Sequence, residues 1–305
     1  MTSAVSTHSL TKRYGRVTAV DSLDLEVREA DLFGFLGPNG SGKTTTVRML
    51  LGLVHATSGT IEVLGQPIPS ATRSVLPEVG ALIEGPAFYP HLSAQTNLSL
   101  LDAAGPAPSR RTRRKRVGDA LDRVGLAEVA TRSVKTYSSG MKQRLGIAAV
   151  LVRPHRLLVL DEPTSGLDPH GARAIRDLLV DLVASGTTVL ISSHLLAEIE
   201  MICNRAAIVF NGRLIAQDSI DNLLAPTGRI WIDTPDIDRA GAAIQEVSGL
   251  DTIERTPSGI AVHLNGRQPD ALNATLVAAG VRVRQLIVER STLEQVFLRL
   301  TRGAR

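Results

Sequence analysis

Residues 37–45 read Gly37, Pro38, Asn39, Gly40, Ser41, Gly42, Lys43, Thr44, Thr45: a glycine, four residues, then Gly-Lys-Thr. No other stretch restricts the fold so tightly, because its flanks are specified too. The apolar run 32–36 predicts a buried strand leading in, and residues 44–53 predict a helix leading out. The three glycines let the backbone curl with its N–H groups turned inward, and the helix start adds the positive end of its dipole. A polyphosphate is the natural occupant of such a turn, although a Gly-rich strand-to-helix turn with a chance Lys-Thr is the plain alternative. If phosphate binds, Lys43 is placed to reach its terminal groups. Thr44 then offers a hydroxyl to the magnesium that accompanies a nucleotide, since small hard cations take oxygen ligands and share them with phosphate.

The 305 residues, 43% of them hydrophobic, suffice for about two domains with real cores. No apolar run approaches the roughly 18 residues of a membrane span, and residues 1–14 lack the apolar region of a signal peptide, so the expected location is the cytoplasm. Cys203 is the single cysteine, which excludes an intrachain disulfide and a cysteine-rich metal site; it falls in an apolar run read as helix, with core packing as its role. The formal charge is only +4, yet Arg110, Arg111, Arg113, Arg114, Lys115 and Arg116 put six positive charges in seven positions. That run is either a solvated helix face after the loop at 105–109 or a surface for nucleic acid or an anionic membrane. No aromatic residues interleave with it, which counts against nucleic acid.

Ahead of the glycine-rich loop, alternating segments at 5–10, 17–20 and 23–27 predict an antiparallel β layer over the nucleotide. Tyr14 lies in that layer and either stacks on a base or is a partly buried strand tyrosine. Beyond the loop come strands at 60–63 and 79–83 and helices at 93–104, 112–124 and 138–152, the last capped by Ser138 or Ser139. Strands at 156–160 and 187–192 end in Asp161-Glu162 and His194. Alternating strands and helices imply a mostly parallel sheet, whose ligands collect at the carboxyl ends of its strands. A hairpin follows, with strands 206–210 and 213–217 about an Asn211-Gly212 turn. The pattern changes near residue 225, and the expected organisation is a nucleotide-binding domain over 1–225 and a small α/β domain over 226–305. The latter should hold a strand at 229–233, a helix at 237–247, strands near 250–264, a helix near 270–279 and a strand at 281–288. Its last helix should open with a capping box at Ser291 and Glu294 and carry Leu293, Val296, Phe297 and Leu300 on one face, a stripe that suits core better than a ligand site.

Hydrolysis of a phosphoanhydride needs the phosphate held, a metal anchored, a water polarised and developing charge stabilised. Asp161, at the end of an apolar strand, suits the magnesium carboxylate, and Glu162 suits the general base; a solvent-facing acidic pair is the alternative.

The run Asp161-Glu162-Pro163-Thr164-Ser165-Gly166-Leu167-Asp168, with the loop at 37 and His194 after a strand, resembles the ATP-binding subunit of ABC transporters over roughly residues 5–220. The resemblance implies a P-loop α/β domain with a mostly parallel sheet, an antiparallel β layer and a helical subdomain, using ATP and Mg2+. It implies that Tyr14 packs on adenine, that the loop residues through Thr45 hold the phosphates, and that His194 contacts the terminal phosphate as a switch. It places Asp168 in a loop that communicates with a second copy. Tyr137-Ser138-Ser139-Gly140-Met141 stands where the family has Leu-Ser-Gly-Gly-Gln, so Ser138, Ser139 and Gly140 would bind ATP held by the other subunit of a head-to-tail dimer. Two departures from the family matter: Ser139 and Met141 replace a Gly and the Gln of the signature, and Glu84 stands where a Gln meets the metal or water. Glu84 keeps an oxygen for the metal but adds negative charge.

The segment 81–90, the run 141–146 and the ending 291–300 resemble the drug-resistance branch of ABC exporters, such as bacitracin and daunorubicin pumps. That branch implies a separate transmembrane permease as partner, a place on the cytoplasmic face of the membrane and no nucleic acid. A soluble ABC ATPase acting on nucleic acid or ribosomes is the competing reading, encouraged only by the basic run.

Overall fold

In the computed structural model, which describes residues 2–85, 87–105, 110–246 and 251–302, the run Leu32–Leu36 is a strand with all five residues buried. An all-apolar strand of this kind needs cover on both faces, which a central position in a parallel sheet supplies. The six-stranded sheet runs Arg213–Ser219, Arg205–Phe210, Leu32–Leu36, Thr188–Ser193, Leu157–Asp161, Val79–Leu82. Every pairing is parallel except the outermost hairpin, whose Asn211 and Gly212 both take positive φ, the geometry that suits the twist of paired strands. Register does the functional work. Leu36 lies opposite Ser193 and Asp161 opposite Ser192, so the glycine-rich loop, the acidic pair and His194 leave the sheet along one edge.

The helix after the loop is Lys43–Leu50, shorter than the 44–53 expected. Gly52, with φ +67°, ends it, and the N–H groups of Leu53 and Val54 turn back to the Arg48 carbonyl. Its Val47, Met49 and Leu50 join Phe33 and Phe35 of the parallel sheet and Val5, Leu10 and Ile61 of a second, antiparallel sheet in one apolar cluster. That second sheet holds Ser3–Tyr14 between Val17–Leu23 and Ser58–Val63, with Glu26–Arg28 and Gln66–Ile68 added.

Three helices, Ala94–Ala104, Arg113–Arg123 and Ser139–Leu151, build the helical layer, the first and last capped by Ser93 and Ser138. They are tied by a buried charge. The Asp102 carboxylate is fully buried and receives Arg113 Nε at 2.9 Å and an Arg116 guanidinium nitrogen at 2.6 Å, with Arg153 Nε 3.6 Å away. Two of the six charges in the basic run therefore point into the fold, while Arg114 and Lys115 are exposed. Cys203 is buried but follows the helix Leu196–Ile202 instead of lying inside it. Pro86 and residues 106–109 and 247–250, which carry parts of the expected loops and of the helix at 237–247, lie outside the described residues.

The chain divides into two compact units, Met1–Ile220 and Asp221–Arg305. The second is a β-α-β-β-α-β unit, with strands Pro226–Asp233, Asp251–Thr256, Gly259–His263 and Gln285–Arg290 arranged second, third, first, fourth, all antiparallel. Helices Ile237–Gln245 and Pro269–Ala278 close its core through Ala240, Ile244, Leu272 and Leu276 against Ile230, Ile232, Ile260 and Val262. The strand expected at 281–288 starts later, because Val281 is drawn into the core and Arg282 forms a forked pair with Asp236. The capping box also moves one residue on. Ser291 is buried, and Thr292 and Gln295 exchange side-chain and backbone hydrogen bonds of 3.1 and 3.2 Å at the start of Leu293–Arg302.

Candidate functional site

A close-packed backbone fixes the loop. A Cβ at Gly37 would collide with the Val209 carbonyl oxygen and with Ser41 Oγ, and one at Gly42, where φ is +98°, would collide with the Ala19 carbonyl. Past Gly42 the helix begins without a side-chain cap, so the first-turn N–H groups have no partner inside the helix. Lys43 is buried with 6% of its surface exposed and folds back over the loop, donating to the Gly37 carbonyl at 2.6 Å and the Pro38 carbonyl at 3.2 Å. Burial lowers its pKa, and the nearby Glu162 and Asp161 carboxylates oppose that shift.

Across from the loop, Thr44 donates its hydroxyl to one Asp161 oxygen at 3.3 Å, and Ser192 donates to the other. Glu162 turns the chain away from the strand end with φ +50°, a conformation that costs a non-glycine residue about 1 kcal/mol or more. Ser192, His194 and Gln143 hold it there. Its N–H donates to the Ser192 carbonyl at 3.0 Å, and its Oε1 accepts the His194 N–H at 3.1 Å and lies 2.8 Å from His194 Nδ1. The Gln143 side-chain amide donates to the Glu162 carbonyl at 3.0 Å and the Pro163 carbonyl at 3.2 Å. Ser192 and Gln143 were not among the expected residues. Ser192 could have been found by aligning the two strand ends that carry Asp161 and His194.

Tyr14, Asn39, Gly40, Gly42, Lys43, Thr44, Thr45, Asp161 and Glu162 line one cavity of about 400 Å³, with Ala19 completing the wall. Tyr14 leaves 48% of its surface exposed at the rim and carries the Lys12 ammonium 4.9 Å from its ring centre. Gly37, Pro38 and Ser41 support the loop from behind, and the buried Ser41 hydroxyl has no hydrogen-bond partner. His194 reaches the cavity through Glu162. The remaining expected residues are elsewhere. Ser138 accepts from the Met141 N–H at 3.2 Å and, with Ser139, is exposed at a helix start outside the cavity; Gly140 also lies outside it. Asp168 caps Pro169–Ala184, accepting from the Gly171 N–H at 3.3 Å. Glu84 also turns with positive φ, +56°, and its carboxylate pairs with Arg48 instead of joining Asp161.

The residues present fit a magnesium nucleotide. The unpartnered N–H groups at the helix start and the Lys43 ammonium suit phosphate oxygens. The Thr44 and Asp161 oxygens, 3.3 Å apart, give a small hard cation two protein ligands and leave the rest to phosphate and water.

Comparison with known proteins agrees with that chemistry. Residues 20–165 match the family described as ABC transporter. The chain is 36% identical over 306 residues to the bacitracin transport ATP-binding protein BcrA of Bacillus licheniformis, covering 99% of each. It is also 36% identical to the daunorubicin resistance ATP-binding protein DrrA3 of Streptomyces coeruleorubidus, covering 98% of this chain and 96% of the relative. Among solved structures, cbiO1 of Clostridium perfringens, part of the ABC transporter complex cbiONQ, superposes with a TM-score of 0.66 at 27% identity, over 73% of this chain and 91% of that one. The chain belongs to the ATP-binding proteins of ABC transporters, and it is an ATPase of that family.

Proposed function

We propose that this protein is the ATP-hydrolysing subunit of an exporter that carries a drug, antibiotic or lipid-like compound through a separate permease. The observation that carries the reading is the single cavity lined by Lys43, Thr44, Asp161 and Glu162, with His194 fastened to Glu162. Resemblance over the full length to bacitracin and daunorubicin proteins supports the exporter branch.

In this reading the first-turn N–H groups and Lys43, which exchanges its loop carbonyls for phosphate oxygens, hold the triphosphate. Thr44 and Asp161, joined by Glu84, would hold magnesium, which would neutralise phosphate charge. Glu162 accepts a proton from the attacking water at a carboxylate oxygen, and His194 aims that carboxylate before contacting the terminal phosphate. Tyr14 offers its exposed face to adenine. The start of Ser139–Leu151, capped by Ser138 and exposed outside the chain's own cavity, is available to an anion from another molecule, in keeping with two copies arranged head to tail, each lending Ser138, Ser139 and Gly140 to the other's ATP. Asp168 then stands in the loop between the two sites.

No helix among the described residues is long and apolar enough to cross a membrane, so in this reading the spans belong to the permease and the protein sits peripherally on the cytoplasmic face. A groove of about 340 Å³ along the edge strand Val79–Leu82, with Ile83, Phe88 and Leu101 in its lining, gives that permease an apolar seat beside Glu84. The nucleic-acid alternative loses part of its one support, because Arg113 and Arg116 are committed to Asp102. The test is to isolate the protein from membranes and identify what co-purifies. A multi-span membrane protein is the expected partner; ribosomal proteins or DNA would overturn the assignment.

A further inference from the structure

Three carboxylates leave the parallel sheet where a triphosphate would lie. Asp161 and Glu162 end one strand, and Glu84 follows the neighbouring one. Leu82 pairs with Leu160, two residues before Glu84 and Glu162 respectively, and both acidic residues turn with positive φ. The Glu84 side chain does not line the cavity. Its carboxylate forms an ion pair with Arg48, whose side chain is 36% exposed against 59% for Glu84. Arg48 follows Thr44 by four residues, so it lies on the same helix face about 6 Å further along the axis. Hydrogen bonding to Glu84 raises the Arg48 pKa, and the Glu84 charge adds to that.

We propose that Arg48 is a positioning residue that holds the Glu84 carboxylate outside the cavity lined by Thr44 and Asp161, so that Glu84 reaches the metal only when magnesium nucleotide competes with Arg48. The proposal rests on the reading of Glu84 as a metal-side residue. It explains how a glutamate is accommodated there: while paired, Glu84 and Arg48 are together neutral toward the phosphates. An exposed pair is a weak latch, biasing the equilibrium by up to about fivefold, and a weak latch is what a reversible switch requires. Because Glu84 leads into the segment that carries Phe88 and Tyr89, its release would be felt at the apolar groove.

The test is a double-substitution cycle in the full chain: Arg48→Met, Glu84→Gln and both together, with melting curves to confirm folding. Two measurements are made on the nucleotide-free protein and on titration with ATP, with and without magnesium. The first is amide hydrogen exchange over residues 83–92. Either single substitution should speed exchange severalfold, and the double variant should go no faster than either. The second is ATP affinity. Arg48→Met should weaken magnesium-free binding about threefold, and adding Glu84→Gln should restore it, because the uncompensated charge is then gone. If the loss persists in the double variant, or exchange is unchanged by Arg48→Met, the proposal falls. Glu84→Ala, made alongside, removes the ligating oxygen as well: if it leaves the magnesium requirement unchanged, the metal-side reading of Glu84 falls and takes the proposal with it. If Glu84→Ala shifts that requirement while Arg48→Met does nothing, only the proposal fails.

Discussion

Glu162 is held at three points, by the Ser192 carbonyl, His194 and Gln143, and each restrains a different part of a strained residue. Its own substitution is the sharpest prediction at this scale. Glu162→Gln should bind ATP, lose hydrolysis by about a hundredfold or more, and accumulate a dimer or closed complex that size measurement with ATP and magnesium would reveal. A species that stays monomeric even with the permease present would rule out the head-to-tail arrangement. Gln143→Leu should lower kcat about tenfold with little change in ATP affinity, because Gln143 fixes the turn and no atom of it lines the cavity. Equal losses in kcat and affinity would show that it binds nucleotide instead. Glu84→Gln should retain hydrolysis, whereas Glu84→Ala should lose coupling to the permease more than ATP binding; measuring ATPase rate and transport on one preparation separates the two. Lys43, Thr44, Asp161 and Glu162 were readable from sequence because their spacing within short motifs carries the chemistry. Ser192, 31 residues from Asp161, is legible only once the two strand ends are aligned, and Gln143, 19 residues from Glu162, carries no local mark at all.

Among the elements, the helical layer depends on Asp102. Replacing it with Ala would leave Arg113, Arg116 and Arg153 around an uncompensated buried site, and the unfolding free energy should fall by on the order of 3 kcal/mol. A urea titration reads this directly, and a change within error would mean that the cluster tolerates the loss by rearranging. The same carboxylate gives a pH dependence. Burial alone would push the Asp102 pKa up, but hydrogen bonds from Arg116 and Arg113 and the charges of Arg116 and Arg153 override it, so the folded value lies below the ordinary 3.8. The stabilisation is therefore complete above that ordinary value and is lost as pH falls from it through the folded value; Asp102→Asn should flatten the acid limb of the stability curve. The basic run had read as one exposed patch because its partners lie 11 residues away at Asp102, which itself meets Arg153 from 51 residues further on. Strands and helices were easier. Apolar runs and serine caps are local signals, so the helices at Ala94, Arg113 and Ser139 begin within a residue of expectation, while helix ends depend on single glycines such as Gly52.

At the scale of the whole molecule there are two units, and among the described residues of the second no group of His, Cys, Asp or Glu could hold a metal ion. We infer an assembly or regulatory role for that unit. A chain ending near Ala225 should keep cooperative melting and ATP binding; loss of binding in a truncation that still melts cooperatively would refute the division. Periodicity showed that residues 226–305 form strands and helices, but the order second, third, first, fourth was beyond its reach, because alternating apolar residues fit any neighbour of similar length. One feature of the first unit bears on the protein's birth. The strand Leu32–Leu36 is hydrogen-bonded on one side to Thr188–Ser193 and on the other to Arg205–Phe210. During synthesis, then, the glycine-rich loop emerges early and waits, without a frame, until residues 188–210 have left the ribosome. A nascent chain arrested before Thr188 would be unable to retain ATP, and its unpaired apolar strand would be the segment that a chaperone meets first.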